Sequence, residues 1–228
     1  MKPDAPPWTR HFVYRTEGFR VTWKFQLGCV ALLVVVVWLT RGRWTVVIAR
    51  SLVCYANAAP SDAILVENFD PDYLAFERAT RLRRDGSAAR VLVPIHTDAG
   101  SSEVNDVALG IAEVMARIAR LGAYDVVPIR EAEPISLNAA RDVLRFIERE
   151  RIRSVIVVSP LFRSRRSALV YGATLGPAGI TVRCEPFQGT RGVDTWARTW
   201  HGIQNVLEEW LKLQYYRLYV LPFRLRSQ

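Results

Sequence analysis

The stretch Ser154–Leu175, SVIVVSPLFRSRRSALVYGATL, decides the fold. It passes from an apolar, β-branched run (Ser154–Ser159) through a short polar loop into a helical pattern (Arg163–Leu175). A buried strand followed directly by a helix is the repeating unit of parallel α/β sheets. The near-continuous Val and Ile content predicts a strand that helices cover on both faces.

The same alternation extends through the chain after Pro60. Four more apolar runs predict strands, at Ala63–Glu67, Arg90–His96, Tyr124–Ile129 and Thr181–Glu185. Helical patterns lie between and after these strands. One begins near Tyr73, and the others span Glu103–Gly122, Ser136–Arg151 and Thr195–Leu213. This order predicts right-handed crossovers and a three-layer Rossmann-like α/β sandwich around a mostly parallel sheet of about five strands.

Two of these helical patterns are amphipathic. In the first, apolar residues recur with a helical period, at Val104, Val107, Ile111, Val114, Met115, Ile118 and Leu121. The second begins at Ser136, an expected N-cap residue, and its expected buried residues are Ala139, Val143, Leu144 and Ile147.

The composition excludes several classes of protein. Half of the 228 residues are hydrophobic and 23% are charged, which is not the composition of a disordered tail protein. The three cysteines, Cys29, Cys54 and Cys184, lie far apart, with no C-x-x-C motif and no neighbouring His pair. This spacing argues against a disulfide framework, a zinc site and an iron–sulfur site.

An apolar segment near the N-terminus predicts one transmembrane helix over residues 21–40. Its centre, Leu27–Leu39, carries no charge, and about twenty residues cross roughly 30 Å of hydrocarbon. Trp23, Trp38 and Trp44 stand near the expected interfaces. A buried core helix and a cleaved signal peptide are the alternatives. The flanking RGR and four successive valines disfavour the first, and the lack of an A-x-A site directly after the segment disfavours the second.

The net charge of +9 is concentrated around this segment. Residues 1–60 hold eight of the 31 bases and two of the 22 acids, so they account for +6. A nucleic-acid-binding domain would carry its excess on the folded part, so no nucleic-acid partner is expected. Five bases precede the uncharged centre Leu27–Leu39 and three follow it closely, which favours a cytoplasmic N-terminus, an extracytoplasmic globular part and attraction to anionic lipid.

The sequence therefore divides into five parts. These are a basic segment (1–20), a transmembrane helix (21–40), a juxtamembrane linker (41–60), the α/β domain (61–221) and a basic C-terminal tail (222–228). We expect a single-pass protein of the cytoplasmic (inner) membrane, with the lipid bilayer as one partner.

Ligands of parallel α/β sheets bind beyond the carboxyl ends of the strands. The loops expected there are Glu67–Asp72, His96–Ser102, Glu131–Asn138 and Ser159–Ser167. In the first loop, the oxygens of Glu67, Asn68, Asp70 and Asp72 suit a metal, a sugar hydroxyl or general-base work, with Glu67 and Asp72 as catalytic candidates. The alternative for Asp70 and Asp72 is turn and helix-capping chemistry, and Arg78 is a potential partner for the buried Glu67.

The fourth loop predicts an anion site. Arg163, Arg165 and Arg166 stand at the start of a helix, where cations oppose the helix dipole. Such a cluster is explained if guanidinium groups and free N–H groups hold a phosphate or carboxylate, and a solvated basic edge is the alternative. The predicted phosphate-binding residues are Asn68, Ser159, Arg163, Arg165, Arg166 and Ser167.

Other signals are weaker. His96 ends a strand and is a third catalytic candidate, with a structural role as the alternative. No G-x-S-x-G, G-x-G-x-x-G or Walker A motif is present, so a hydrolase triad, a dinucleotide site and an NTPase lack support, and the sequence assigns no cofactor. Glu208, Glu209 and Trp210 are expected to pack, or to close one edge of the site.

Four ordered motifs carry a family resemblance. They are SDAILVEN-x-DPDY, EPISLNAARDVL, SVIVVSPLFRSRRSAL and the terminal W-x-x-x-WHG-x-x-x-VLEEWLKLQYY. Over about Ala58–Leu221 the chain resembles the YdcF-like family (the ElyC/SanA/YdcF domain of unknown function). It is most similar to a branch with the signatures E-G-W-x-P-D-Y and H-A-R-R-S. Glu67, Pro71, Asp72, Tyr73, Arg165, Arg166 and Ser167 match those signatures, whereas Asn68, Phe69 and Arg163 replace the Gly, the Trp and the His.

The resemblance implies a membrane-anchored envelope protein with an extracytoplasmic domain, linked to peptidoglycan, lipid-carrier or surface-polysaccharide metabolism. We expect it to bind a phosphorylated sugar or lipid-carrier precursor and to act in cell-envelope biogenesis. Because Arg163 stands where the family has histidine, a possible acid or base is lost. The alternative is a non-catalytic scaffold whose partners are proteins of an envelope assembly.

Overall fold

A computed structural model describes residues 23–57, 59–69, 72–98 and 100–224. The chain divides into two units, Met1–Gly42 and Arg43–Gln228. The predicted basic segment 1–20 lies outside the described residues. So do Asp70 and Pro71 of the first loop, and residues 225–228 of the predicted tail.

The first unit contains the apolar part of helix α1, which spans Trp23–Ser51. An 18-residue window of this helix has a mean hydropathy of 1.8, and none of that window is buried. By length and composition the helix is able to cross a membrane. It continues eleven residues past the predicted end at Thr40, because no proline and no helix-stop signal stronger than the tolerated Gly42 intervenes.

The second unit is built on a five-stranded, all-parallel sheet. The strands are β1 (Ala63–Val66), β2 (Arg90–His96), β3 (Asp125–Ile129), β4 (Ser154–Pro160) and β5 (Thr181–Phe187). Their spatial order is β3-β2-β1-β4-β5, so the connections change direction between β1 and β4. This topology confirms the predicted α/β fold class and puts the switch point between those two strands.

Helices cover both faces of the sheet. They are α2 (Tyr73–Arg84), α3 (Asp106–Ile118), α4 (Ile135–Arg149), α5 (Ser164–Leu175), α6 (Trp200–Tyr215) and α7 (Leu221–Arg224), with a π turn at Tyr216–Val220. Alternate residues of β1 enter opposite cores: Ala63 and Leu65 pack with α4 and α5, and Ile64 and Val66 with α2 and α3. Burial on both faces explains why the strands are apolar throughout.

A third core joins the end of α1 to the C-terminal helices. Ala49 and Leu52 pack with Trp196, Val206 and Leu213. The indole Nε1–H of Trp196 donates to the Thr45 carbonyl oxygen at 3.0 Å. The last turns of α1 are therefore part of the folded domain, although the sequence assigned them to a linker.

The expectation that the cysteines form no disulfide is wrong. Cys54 and Cys184 are bonded, with Cα atoms 6.4 Å apart and 130 positions between them in sequence. The Cys54 N–H donates to Ser164 Oγ at 3.0 Å, and the Cys184 N–H donates to Asn57 Oδ1 at 2.8 Å. Only the folded sheet brings these segments together, so the spacing in sequence carries no sign of the pair. Cys29 in α1 is free and exposed.

Two predicted helix starts also differ. Pro134 is the N-cap of α4, so Ser136 lies inside the first turn and does not cap the helix. Helix α6 begins at Trp200 and not at Thr195, because Thr199 Oγ1 accepts from the Gly202 N–H at 3.1 Å. A Cβ at Gly202 would lie 2.0 Å from the Trp196 carbonyl oxygen, so this approach requires glycine.

We predict that the Cys54–Cys184 disulfide contributes measurably to the free energy of unfolding. Replacing Cys54 and Cys184 together by alanine should lower the free energy of unfolding by about 2–4 kcal/mol, because the long loop they close is released in the unfolded chain. Denaturant unfolding of the protein in detergent micelles measures this. Cys29→Ala is the control and should leave the value unchanged, and an equal loss in the control would contradict the assignment.

Candidate functional site

Strands β1 and β4 end side by side with polar residues at the switch point. Glu67 directly follows β1, and its N–H donates to the Val158 carbonyl oxygen at 2.9 Å. Ser159 is the second-last residue of β4. It is 0% exposed, and Glu67 is 2% exposed. The site is therefore where the topology of a doubly wound sheet normally puts one.

Helix α5 brings a hydroxyl to the Glu67 carboxyl group. Ser167 Oγ lies 2.9 Å from Oε1 and 2.7 Å from Oε2, so one hydroxyl proton is shared between the two oxygens. Arg163, Arg166 and Ser167 are three and four positions apart, which puts them on one side of the helix start. The local sequence RSRRS thus delivers two cations and one hydroxyl to the same place.

Burial raises the pKa of the Glu67 carboxyl above its ordinary value. The positive charges of Arg163 and Arg166 and the Ser167 hydrogen bond oppose this shift without cancelling it, and the nearby Glu209 adds to it. Burial likewise raises the pKa of the Tyr171 hydroxyl, with Glu67 contributing. Burial is thus the largest cause of the shift in the pKa of both groups.

Glu209 of α6 binds both arginines. Arg166 Nε and Nη2 donate to Glu209 Oε2 at 3.2 and 3.0 Å, and Arg163 Nε donates to Oε1 at 3.3 Å. Arg166 and Glu209 are 5% and 4% exposed. Two guanidinium groups therefore converge on one carboxylate, and guanidinium groups are also the usual protein donors to phosphate and carboxylate ligands.

Arg166 also contacts two other elements. Its Nη1 donates to Ser136 Oγ at 2.6 Å, and its guanidinium lies 5.5 Å from the centre of the Tyr216 ring. The aromatic ring adds a cation–π contact to the ion pair. Arg166 therefore links α5 to α4, α6 and the π turn.

The third predicted arginine lies elsewhere. The Arg165 side chain is exposed, and its backbone N–H donates to the Leu52 carbonyl oxygen at 3.0 Å. Neighbouring positions on a helix point in different directions, so Arg165 cannot share the face of Arg166. The structure thus brings together two of the three arginines that the sequence grouped.

Several buried polar atoms near Glu67 have no hydrogen-bond partner within the described part of the chain. They are Asn68 Oδ1, His96 Nδ1, Ser159 Oγ and Tyr171 Oη. Leaving such an atom unpaired costs about 1–3 kcal/mol, and native structures keep few of them. Their concentration at the strand ends indicates a place where a ligand supplies the missing partners.

Two cavities open on either side of Arg163. The first, of about 330 Å³, is lined by His96, Arg163 and Arg166, by acidic Glu131 and Glu133, by Lys212, and by the rings of Phe69, Tyr215 and Tyr216. The second, of about 420 Å³, is lined among others by Asp72, Tyr73, Phe162, Phe187, Arg163 and Glu209. Both volumes fall within the range of small-molecule sites.

The structure shows the partners of Asp72 and Arg78, two residues that the sequence analysis discussed with the first loop. Asp72 caps α2, because its Oδ1 accepts from the Leu74 N–H at 2.9 Å, which confirms the capping alternative. Arg78, considered above as a potential partner of Glu67, pairs with another residue: its Nε donates to Glu185 Oε1 at 3.0 Å. Glu185 lies on β5, so Arg78 joins α2 to that strand. Among the described residues, no three His, Cys, Asp or Glu side chains come together as metal ligands.

The central role of Glu209 was missed in the sequence, although a signal was present. Gly202, Val206, Glu209 and Leu213 are spaced four, three and four apart and form the buried stripe of α6. A carboxylate on such a stripe requires a cationic partner. Ser136, Lys212 and Tyr216 carry no comparable signal, because only the fold brings them to the cavity.

The fold and the site define an α/β protein with an N-terminal apolar helix and a buried arginine–glutamate cluster at the switch point of a parallel sheet. Comparison with protein families, with curated proteins and with solved structures finds no match. The resemblance to the YdcF-like family therefore stays a prediction.

The raised pKa of Glu67 predicts a pH-dependent effect of Glu67→Gln. The folded state holds the Glu67 proton more tightly than the unfolded state, so this carboxyl makes folding less favourable as pH rises from about 4.3 to the raised value. Glutamine does not titrate. The free energy of unfolding of Glu67→Gln, minus that of the parent, should therefore grow with pH across this window and then level off.

Urea unfolding at a series of pH values measures this difference. The matched control is Glu208→Gln, whose side chain is exposed and paired with Lys212. It should show no such growth. A difference that shrinks as the pH rises through the window would mean that the pKa of Glu67 is lowered.

Proposed function

We propose that this chain is a membrane-anchored protein whose α/β domain binds a phosphorylated precursor of the cell envelope or of a polysaccharide, in cell-envelope biogenesis. One observation carries the proposal: Arg163 and Arg166 converge on a single carboxylate beside the buried Glu67. Guanidinium groups donate paired, charge-assisted hydrogen bonds to phosphate oxygens.

The arrangement gives the two arginines different tasks. The Arg166 donors are directed to Glu209 and Ser136, so this residue positions the cluster. Arg163 borders both cavities, so its guanidinium is the contact for the phosphate. The oxygens Asn68 Oδ1 and Ser159 Oγ, which have no partner among the described residues, are buried at the ends of β1 and β4 and are the next candidates for polar contacts.

The first cavity suits the sugar part of such a precursor. Three aromatic rings, from Phe69, Tyr215 and Tyr216, line it together with the carboxyl groups of Glu131 and Glu133. Ligand sites combine apolar walls with a few polar groups in this way. Where a proton is transferred, His96 is the group that lines the cavity, and Glu67, whose pKa burial raises, is the second candidate.

Three observations support an extracytoplasmic domain. Helix α1 is apolar and long enough to span the bilayer of the cytoplasmic (inner) membrane. More bases precede the apolar span than follow it closely. The Cys54–Cys184 disulfide is typical of oxidising compartments and is rare in the cytosol.

A C-terminal fusion tests this topology. Alkaline phosphatase fused after Gln228 should be active, because the proposed topology puts the domain outside the cytoplasm. Green fluorescent protein fused at the same position should not fluoresce. N-terminal fusions serve as the control and should give the opposite pattern. A fluorescent, phosphatase-inactive C-terminus would place the domain in the cytoplasm.

A non-catalytic scaffold is the second candidate, and one observation favours it. Arg166 is almost fully satisfied inside the protein, by Glu209, Ser136 and the Tyr216 ring. On this view the cluster braces the helices around the sheet and the domain serves as a partner in an envelope assembly.

Ligand binding separates the two candidates. Undecaprenyl phosphate in nanodiscs and a nucleotide sugar are the probes, and calorimetry or fluorescence measures affinity for the full chain. Arg163→Ala should weaken binding about 10- to 100-fold, the value of one or two charge-assisted hydrogen bonds. Arg165→Ala is the matched control and should bind like the parent, since Arg165 is exposed.

Equal affinities of the parent and Arg163→Ala, or no binding by the parent, would contradict the proposal. In that event the scaffold becomes the better candidate, and capture of neighbouring membrane proteins by the parent, without turnover of a phosphate-ester panel, would support it.

A further inference from the structure

Helix α3 exposes an apolar stripe that the fold does not use. Val107, Ile111, Val114 and Ile118 are 70%, 37%, 42% and 60% exposed, and no part of the described chain covers them. The helix packs on the sheet through smaller residues, chiefly Ala112 and Ala116. Four of the seven apolar residues in the pattern predicted for this helix are thus exposed.

The spacing of the stripe is that of a helix–helix seam. Its residues are four, three and four positions apart, which is the a/d repeat that packs one helix against another. Scattered apolar residues on a surface need no explanation, but a continuous stripe along one helix indicates an interaction surface.

We propose that α3 pairs with α3 of a second copy of this chain, in antiparallel orientation, to form a symmetric dimer. The charges at the two ends of the helix favour this partner and this direction. Glu103 and Asp106 stand at its N-terminal end, and Arg117 and Arg120 stand at its C-terminal end. An antiparallel pair places acidic ends beside basic ends, whereas a parallel pair places like charges together.

The symmetry fixes the contacts. A two-fold axis between Ile111 and Val114 pairs Val107 with Ile118 of the second copy, and Ile111 with Val114 of the second copy. Each copy then offers the same patch to the other, as in an isologous interface. The helix dipoles also run in opposite directions, which favours the pair.

Four residues a copy make a small interface, below the usual size for a stable dimer in solution. The membrane anchor offsets this. Two chains held in one bilayer meet at a much higher effective concentration than two free domains, so a weak contact suffices. This step rests on the proposed anchoring, and the contact should be strong in membranes and weak for the protein diluted in detergent.

The experiment counts subunits of the full chain in lipid vesicles, by single-molecule photobleaching at a series of protein-to-lipid ratios. Val107→Glu and Ile118→Glu should each raise the dissociation constant at least about a hundredfold, because a charge is buried in an apolar seam. Both positions are exposed, so the fold should tolerate the change. Leu207→Glu, on α6 and 54% exposed, is the matched control and should stay dimeric.

The direction of the pair is tested in a Cys29→Ser background. Val107→Cys combined with Ile118→Cys should cross-link two copies on oxidation. Ile118→Cys alone should not, because its two copies are separated by about 16 Å along the axis. Arg117→Glu should weaken the dimer, and adding Asp106→Arg should restore it.

A monomeric parent in vesicles overturns the proposal, as does a dimer that survives both glutamate variants or cross-linking of Ile118→Cys alone. Arg163→Ala should remain dimeric whatever its ligand affinity, so the failure of the ligand proposal and the failure of the dimer are seen separately.

Discussion

The structure around the switch point depends on the ion pair between Arg166 and Glu209. Both groups are buried, and each needs the other, since removing one partner of a buried pair leaves an uncompensated charge worth about 3–5 kcal/mol. Through this pair α6 is held against α5, and the further bond to Ser136 adds α4. Helices α4, α5 and α6 therefore enclose one polar cluster.

The two carboxyl groups of this cluster have different surroundings. Glu209 is bound by two guanidinium groups, whereas the hydrogen bond to Glu67 comes from a neutral hydroxyl, and burial raises the pKa of Glu67. A buried carboxyl group with a raised pKa beside charged neighbours, such as Glu67, is frequent at functional sites. The loop that carries Arg163 is also joined to the segment after α1, since Ser164 Oγ accepts from the Cys54 N–H and the Cys54–Cys184 disulfide holds that segment on β5.

The strands and the place of the site could be predicted because their signals are local. Each apolar run is a strand, and the chain order alone directs attention to the strand ends. The pairings could not be predicted. Glu209 is 43 positions from Arg166, the disulfide closes 130 positions, and Arg165 differs from its neighbour only in the face it occupies. In α3 the period was visible in sequence, but the sheet accepted the alanines and left the larger Val and Ile side chains outside.

Ligand binding and a purely structural role of the cluster explain different residues in it. A brace accounts for Arg166, whose donors meet Glu209 and Ser136 inside the protein. It does not account for Asn68 Oδ1 and Ser159 Oγ, which are buried beside Glu67 without a partner in the described residues. Each costs about 1–3 kcal/mol, and an alanine or valine at Ser159 would hold the helices equally well. A ligand whose hydroxyl groups reach those oxygens gives a reason for them, and Arg163, which lines both cavities, is the guanidinium group that such a ligand would meet.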